Sequence, residues 1–317
     1  MSFAIPIRIR FENNKKVDSL RIDFFCVVDL GMKKLCIFVH YSNFNYVPYY
    51  VSQYVKELTK FFNEIIIVTN EREISNADEF RSNGISLMQV KNEGYDLGMF
   101  LKAFETIDVN KYEQIGCLND SNILLQSLTF LFDWAKESPA DLWGLIDAEI
   151  RPSYSTHNGS FHIQSHFLVF NRSSFPTLLS FIEQLNFQEI LKIEQVKDLK
   201  MKVINDWEIG LSQYFIKNGL TAKGYFHANE YFWEETESIS HVKMLEAGVP
   251  VIKKKVITSV KPRDLFSGKN YWSKLAKKYA GNIVDLDILL PELQYIRRQY
   301  LKNATTQLLK KPFARNE

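Results

Sequence analysis

The chain is short of the residues that would announce a simple function class. Its 317 residues include three cysteines, Cys26, Cys36 and Cys117. They lie in or beside apolar runs without CxxC spacing or neighbouring histidines, so they read as reduced core residues and not as a disulfide framework or zinc knuckle. Glycine is sparse, 13 in all, and "YSNFNYVPYY", which follows the first core strand "CIFVH", has none. That counts against a sugar nucleotidylyltransferase, which needs a Gly-rich phosphate loop there. GxxxxGK(S/T) is also absent, leaving no P-loop chemistry. A net charge of +2 carries no nucleic-acid signature. No apolar run approaches the roughly 20 residues that span a bilayer, and "MSFAIPIRIRF" alternates where a leader would be uniformly apolar. The expectation is a soluble protein of a reducing compartment, the cytoplasm.

What is present is enough apolar residue, 46 %, to build one large core or two ordinary ones. Ile5, Ile7, Ile9 and Phe11, then Leu20, Ile22 and Phe24, alternate with polar residues on either side of "ENNKKVDS". This is a hairpin signal. Residues 1–32 are therefore expected as an appendage that pairs with a sheet edge or with a second copy, giving a homodimer. From Lys34, short apolar strands ("KLCIFVH", "EIIIVTN", "ISLMQV", "QIGCL", "DLWGLI") are separated by helical spacing, including candidates at 97–107 and 124–137. Such alternation predicts an α/β domain over 33–260, a mostly parallel sheet with helices on both faces. "FHIQSHFLVFN" reads as one long strand, and "NDWEIGLSQYFIKNG" as an amphipathic helix stopped by Gly219. Residues 261–317 turn basic and aromatic and are expected as a helical extension. Lysines and arginines such as Lys277, Lys278, Arg297 and Arg298, set among Tyr271, Trp272 and Tyr279, could dock on anionic lipid. The plainer reading is a solvated helical face.

In open α/β sheets ligands bind beyond the carboxyl ends of the strands. That rim is where "YEQIGCLNDSNILL" breaks its apolar run at Asn119-Asp120-Ser121, and where "VKNEGYDLG" follows the third strand. A carboxylate-held divalent cation is a common way to neutralise a diphosphate, and Asp120 is placed to supply the carboxylate. The competing reading makes Asp120 a helix N-cap for the apolar run through Leu131. In the other segment, Gly94 and Gly98 would let the backbone approach a ligand and Asp96 would accept from a sugar or ribose hydroxyl. A turn with an N-cap is the alternative.

Five blocks, "KNEGYDLGMFL", "LNDSNILL", "WGLIDAE" with "HIQSHFLVF", "WEIGLSQYFIKNG" and "KMLEAGVPVIKKKVI", in this order over roughly 34–258, resemble the rhamnan synthesis protein F family. The resemblance implies a bacterial GT-A (Rossmann-like) glycosyltransferase of surface polysaccharides such as capsule or lipopolysaccharide. It implies a dTDP- or UDP-sugar donor, often dTDP-L-rhamnose, and a saccharide or lipid-linked saccharide acceptor. By that resemblance Asn92, Gly94, Asp96, Asn119, Asp120 and Ser121 would bind donor. Asp120 would stand at the metal motif, though with one carboxylate where GT-A enzymes have two, and Mn or Mg is the implied cofactor. GT-A relatives place the base on a helix ending in Gly eleven residues on, which here selects Glu208, with Asp206 as competitor. Helix N-terminal electrostatics is the other account of both. His162 and Gln164 would contact acceptor, sharing a strand face with His166 while Ser165 points away. His227 and His241 read as structural, either one an outside candidate for a metal ligand. A noncatalytic nucleotide-sugar or saccharide binding protein is the alternative function.

Overall fold

The computed structural model describes residues 32–41, 43–81, 84–228, 238–258 and 271–310. The expected N-terminal hairpin therefore lies outside the described residues. The chain divides at Gly31, and all the described residues belong to the second unit, Met32–Glu317.

Within that second unit, strands β1 (Lys33–His40), β2 (Glu64–Asn70), β3 (Ile85–Val90) and β4 (Tyr112–Asn119) pair in parallel in the order β3-β2-β1-β4. From Leu35 onward every residue of β1 is buried, as an apolar run covered on both faces requires. Its side chains alternate, Cys36 and Phe38 entering one core, Leu35, Ile37 and Val39 the other. Helix α1 (Tyr49–Leu58) covers the first face and α2 (Tyr95–Phe104) the second. The strand bounds expected from the sequence hold to within a few residues. The 97–107 helix starts two residues earlier.

Beyond β4 the sequence is harder to read. The apolar stretch after Asp120 begins as a short strand, β5 (Asn122–Leu124), and becomes helix only at α3 (Thr129–Glu137), so Asp120 caps no helix. β6 (Leu142–Ala148) returns to the main sheet. "FHIQSHFLVFN" then splits into β7 (His162–Ile163) and β8 (Phe167–Asn171) around a turn at Ser165-His166. β8 lies antiparallel between β4 and β6, and β7 pairs antiparallel with β6. Helices α4 (Phe175–Gln184), α5 (Phe187–Leu191) and α6 (Val196–Val203) follow. A π-helical stretch, Ile204–Ile209, joins α6 to α7 (Gly210–Lys217). β9 (Ala222–Ala228), which has no clear period in the sequence, runs parallel beside β6. The eight-stranded sheet with α1 and α3 on one face and α2, α4 and α7 on the other is the mixed α/β architecture expected. Because β4 and β6 flank the reversed β8, the carboxyl ends of β1 to β4 and of β6 open on one rim.

After α8 (Ser238–Glu246), β10 (Val251–Lys253) pairs antiparallel with β5 and leads directly into α9 (Lys254–Thr258). The basic tail forms α10 (Tyr271–Tyr279) and α11 (Leu286–Lys310). These helices are no separate extension. Trp272, Leu275, Ala276, Leu289, Leu293 and Ile296 are buried in the same core as α1 and α3. α11 also completes α1: Pro48 gives that helix no side-chain cap, and Glu292 accepts from the N–H groups of Tyr49 (2.7 Å) and Tyr50 (3.1 Å) instead. A carboxylate there suits both the orphan donors and the helix dipole.

Candidate active site

The chain leaves β4 at Asn119, and the Asp120-Ser121 turn stays on the rim because Asp120 N–H donates to the Val39 carbonyl at 3.1 Å. Asp120 is buried, and its Oδ2 accepts from three sides: His40 Nδ1 at 2.8 Å, Tyr50 Oη at 3.0 Å and Lys254 Nζ at 2.7 Å. Burial pushes its carboxyl upward, but the Lys254 ammonium and His40 outweigh that and hold it well below the usual carboxylate range. The carboxylate is therefore ionised at neutral pH.

Lys254 went unnoticed in the sequence. Its only signal was the "KKK" run closing the last of the five blocks, which gives no hint of burial. The β5–β10 pairing delivers it: the Lys254 N–H donates to the Ser121 carbonyl at 2.7 Å, setting the first residue of α9 beside the Asp120 turn.

Asn119 links this cluster to the second motif. Its Nδ2 donates to Asp96 Oδ2, while its Oδ1 accepts from the Ser121 N–H at 3.0 Å. Asp96, in the first turn of α2, is pushed up to about 6 by burial and by the Asp120 charge, with Glu208 adding to the rise. Lys254 and the Asn119 hydrogen bond act the other way. Four candidates thus converge, Asp96, Asn119 and Asp120 in contact or near it and Glu208 close enough for its charge to be felt.

The glycines have a different task from the one expected. Gly94 and Tyr95 both hold left-handed backbone, φ 70° and 57°, a conformation that glycine takes freely and tyrosine only under constraint. A Cβ on Gly94 would come within 2.7 Å of Phe187, and one on Gly98 would meet the Glu93 carbonyl and the same ring. These glycines admit the entry to α2 and the packing of α5. Asn92 is exposed at the head of the turn.

Glu208 sits in the π-helical stretch, an irregularity frequent at functional sites. The helix begins at Val196, so neither Asp206 nor Glu208 is at a helix N-terminus and the dipole account of them fails. The Ser165 N–H and hydroxyl donate to Glu208 Oε2 at 2.8 and 2.7 Å, and His162 Nε2 stands 4.0 Å from Oε1. Ser165 therefore faces the same carboxylate as His162, because the turn at 165–166 breaks the alternation on which the opposite expectation rested. Asp206 is drawn off by Lys202 at 2.7 Å and by Asn205 Nδ2 at 2.7 Å, and it takes no part in the cluster. Gln164 accepts from His166 Nε2 at 3.1 Å, and His166 Nδ1 accepts from Asn122 at 2.8 Å. Burial lowers His166 well below its ordinary range, keeping it a neutral bridge between β5 and the 164–166 turn. His227 pairs with Asp147 at the end of β6.

The donor set does not fit the expected divalent cation. Hard cations need converging oxygen lone pairs, whereas Asp120 Oδ2 is met by an ammonium, a phenol and a ring N–H. Among the described residues no group of three or more histidine, cysteine or carboxylate side chains is arranged to hold a metal.

Three carboxylates, Asp96, Asp120 and Glu208, thus gather on the carboxyl rim of a mixed α/β sheet. The sequence profile of rhamnan synthesis protein F matches residues 65–301, and the chain belongs to that family. No curated protein matches it in sequence. Among solved structures it is similar to a protein of Bacillus anthracis assigned as a glucose-1-phosphate thymidylyltransferase, in complex with sucrose, at 11 % identity over 68 % of this chain and 93 % of the other, TM-score 0.41. It is also similar to the glycosyltransferase GlyE of Streptococcus pneumoniae TIGR4, at 13 % identity over 85 % and 64 %, TM-score 0.38. A third likeness is to Rv0371C of Mycobacterium tuberculosis H37Rv in complex with manganese, at 10 % identity over 62 % and 90 %, TM-score 0.32.

Proposed function

We propose that this chain transfers a sugar from a nucleotide-sugar donor to a saccharide hydroxyl with inversion at the anomeric carbon. The observation that carries the reading is the division of carboxylates across one rim. Asp120 is locked in its ionised form by three donors, Asp96 is raised toward neutrality, and Glu208 takes both Ser165 hydrogen bonds on Oε2 while His162 Nε2 stands 4.0 Å from Oε1. A base must be positioned yet keep an oxygen for the proton it takes, and Glu208 Oε1 is that oxygen, since both Ser165 bonds fall on Oε2.

In the reaction the acceptor oxygen bonds to the anomeric carbon as its proton passes to Glu208. The bond from that carbon to the diphosphate breaks, and the leaving oxygen keeps the electron pair. Asp96, protonated part of the time near neutral pH, can donate to or accept from a donor hydroxyl. His162, whose Nε2 stands 4.0 Å from Glu208 Oε1, would be on the acceptor side in this reading, with Gln164 two residues on. Family membership supports a bacterial surface polysaccharide as product, a dTDP- or UDP-linked sugar, rhamnose among them, as donor, and a saccharide or lipid-linked saccharide as acceptor.

The test is the anomeric configuration of the product by proton NMR, with Glu208→Gln alongside. Inversion in the parent protein and loss of transfer in a folded variant are expected. Retained configuration would remove Glu208 from the role of base. Nucleotide binding with no turnover on any acceptor would point to the noncatalytic alternative.

A further inference from the structure

Lys254 and Tyr50 do more than hold Asp120. Both also line a cavity of about 280 Å³ between the loop that follows β1 and the face of α11. The loop contributes Tyr41 and Phe44, and α11 contributes Tyr295 and Tyr300. The cavity lining is thus rich in aromatic residues and includes the Lys254 ammonium that also meets Asp120.

An ammonium has three N–H groups. One is directed at Asp120 Oδ2 (2.7 Å) and one at Tyr50 Oη (3.3 Å), which leaves the third for an occupant of the cavity. Nearly a fifth of the Lys254 side-chain surface remains accessible. Asp120 cannot turn the same face to a metal, because its Oδ2 already meets three hydrogen-bearing groups.

We propose that a nucleoside diphosphate occupies this cavity with its phosphates on Lys254, and that Lys254 supplies the positive charge expected of a divalent cation, so that donor binding is independent of metal. The inference rests on the transferase reading and adds to it how the leaving group is held. The cavity volume is just under the roughly 300–1,000 Å³ usual for small-molecule sites. That gives room for a base and ribose, with the phosphates at Lys254. An aromatic lining suits a base, since stacking needs only a π-face. Gln299 and Asn303, also in the lining, carry the paired donor and acceptor groups that read a base edge. In the transfer step, the β-phosphate oxygen that keeps the electron pair of the broken bond gains charge, and the free Lys254 N–H is aimed where a charge-assisted hydrogen bond would stabilise it.

The experiment is calorimetric titration of the full chain with UDP and with dTDP, each in excess EDTA and each with 5 mM, a concentration on the order of that used to saturate weak cation sites, of magnesium or manganese. The expected result is binding of at least one nucleotide in EDTA, with a Kd changed less than about threefold by either cation. Lys254→Met leaves Asp120 buried without its counter-charge, so the paired variant Lys254→Met/Asp120→Asn is measured beside it. Either variant, if folded by circular dichroism, should weaken binding about 10- to 100-fold, the weight of one hydrogen bond to a charged group. Binding only with a cation, or unchanged binding in the folded double variant, would overturn the lysine proposal and leave the transferase reading standing. No nucleotide binding under any condition would overturn both.

Discussion

Asp96 gives the sharpest test of the site's electrostatics. Its carboxyl, ordinarily near 3.8, is raised to about 6 by burial first and by the Asp120 charge second. A carboxyl raised in the folded state disfavours the fold when ionised. The penalty is complete above about pH 7 and is relieved as pH falls toward 3.8, where the unfolded chain also takes up the proton. Two units correspond to about 3 kcal/mol. Asp96→Asn keeps the acceptor oxygen that meets Asn119 Nδ2 and removes the charge. Urea unfolding of parent and variant between pH 4 and 7.5 should show the variant gaining on the parent by about 2 kcal/mol from pH 4 to pH 6 and levelling off above about pH 7. The two stability curves running parallel across that window would refute the account of the cluster, since no other change between the proteins titrates there.

The same geometry sets other expectations. Asp120→Asn should show the opposite sign: Asp120 is depressed, so its contribution is present above about pH 4 and is lost as pH falls below it. The gap between parent and variant, measured by acid titration of circular dichroism, should therefore narrow at low pH. Glu208→Gln should lower the transfer rate by about 100- to 10,000-fold and leave the urea midpoint nearly unmoved, as the amide oxygen can still accept from Ser165. Gly94→Ala forces a side chain into left-handed backbone against Phe187 and should cost about 1–2 kcal/mol or more in urea unfolding. Trp207→Ala, which empties a position stacked on Phe100 and tilted against Phe181 in the core, should cost about 3–5 kcal/mol.

Some of this was open to reading from residue order. β1 and β2 announce themselves because strands inside the sheet are largely buried apolar runs, β3 and β4 by shorter apolar stretches, and each is separated from the next by helical spacing. Parallel pairing then puts their ends on one rim, which is why Asn119-Asp120-Ser121 and Asp96 could be placed together from residue order alone. Local patterns misled where two signals compete over few residues. Leu124 to Leu131 have the apolar density of a helix, but Asn122–Leu124 is claimed by β10, a strand of three residues far along the chain. His162 to Asn171 alternates like one strand, yet a turn at Ser165-His166 interrupts it, with β7 and β8 both still antiparallel to β6, and brings Ser165 onto Glu208.

Composition and period thus determined the α/β class, the core strands and the rim, because these depend on which residues must leave water and at what spacing. The company Asp120 keeps was decided only in three dimensions. His40, Tyr50 and Lys254 stand 80, 70 and 134 residues away in sequence, each in a segment unremarkable by itself. Whether a rim carboxylate faces a metal or an ammonium depends on which distant strand pairs beside it, and here the β5–β10 pairing sets a lysine there. The tail's role was decided the same way: α11 reads as basic and amphipathic, but only its docking, through Glu292 on the open end of α1, makes its tyrosines a wall of the cavity.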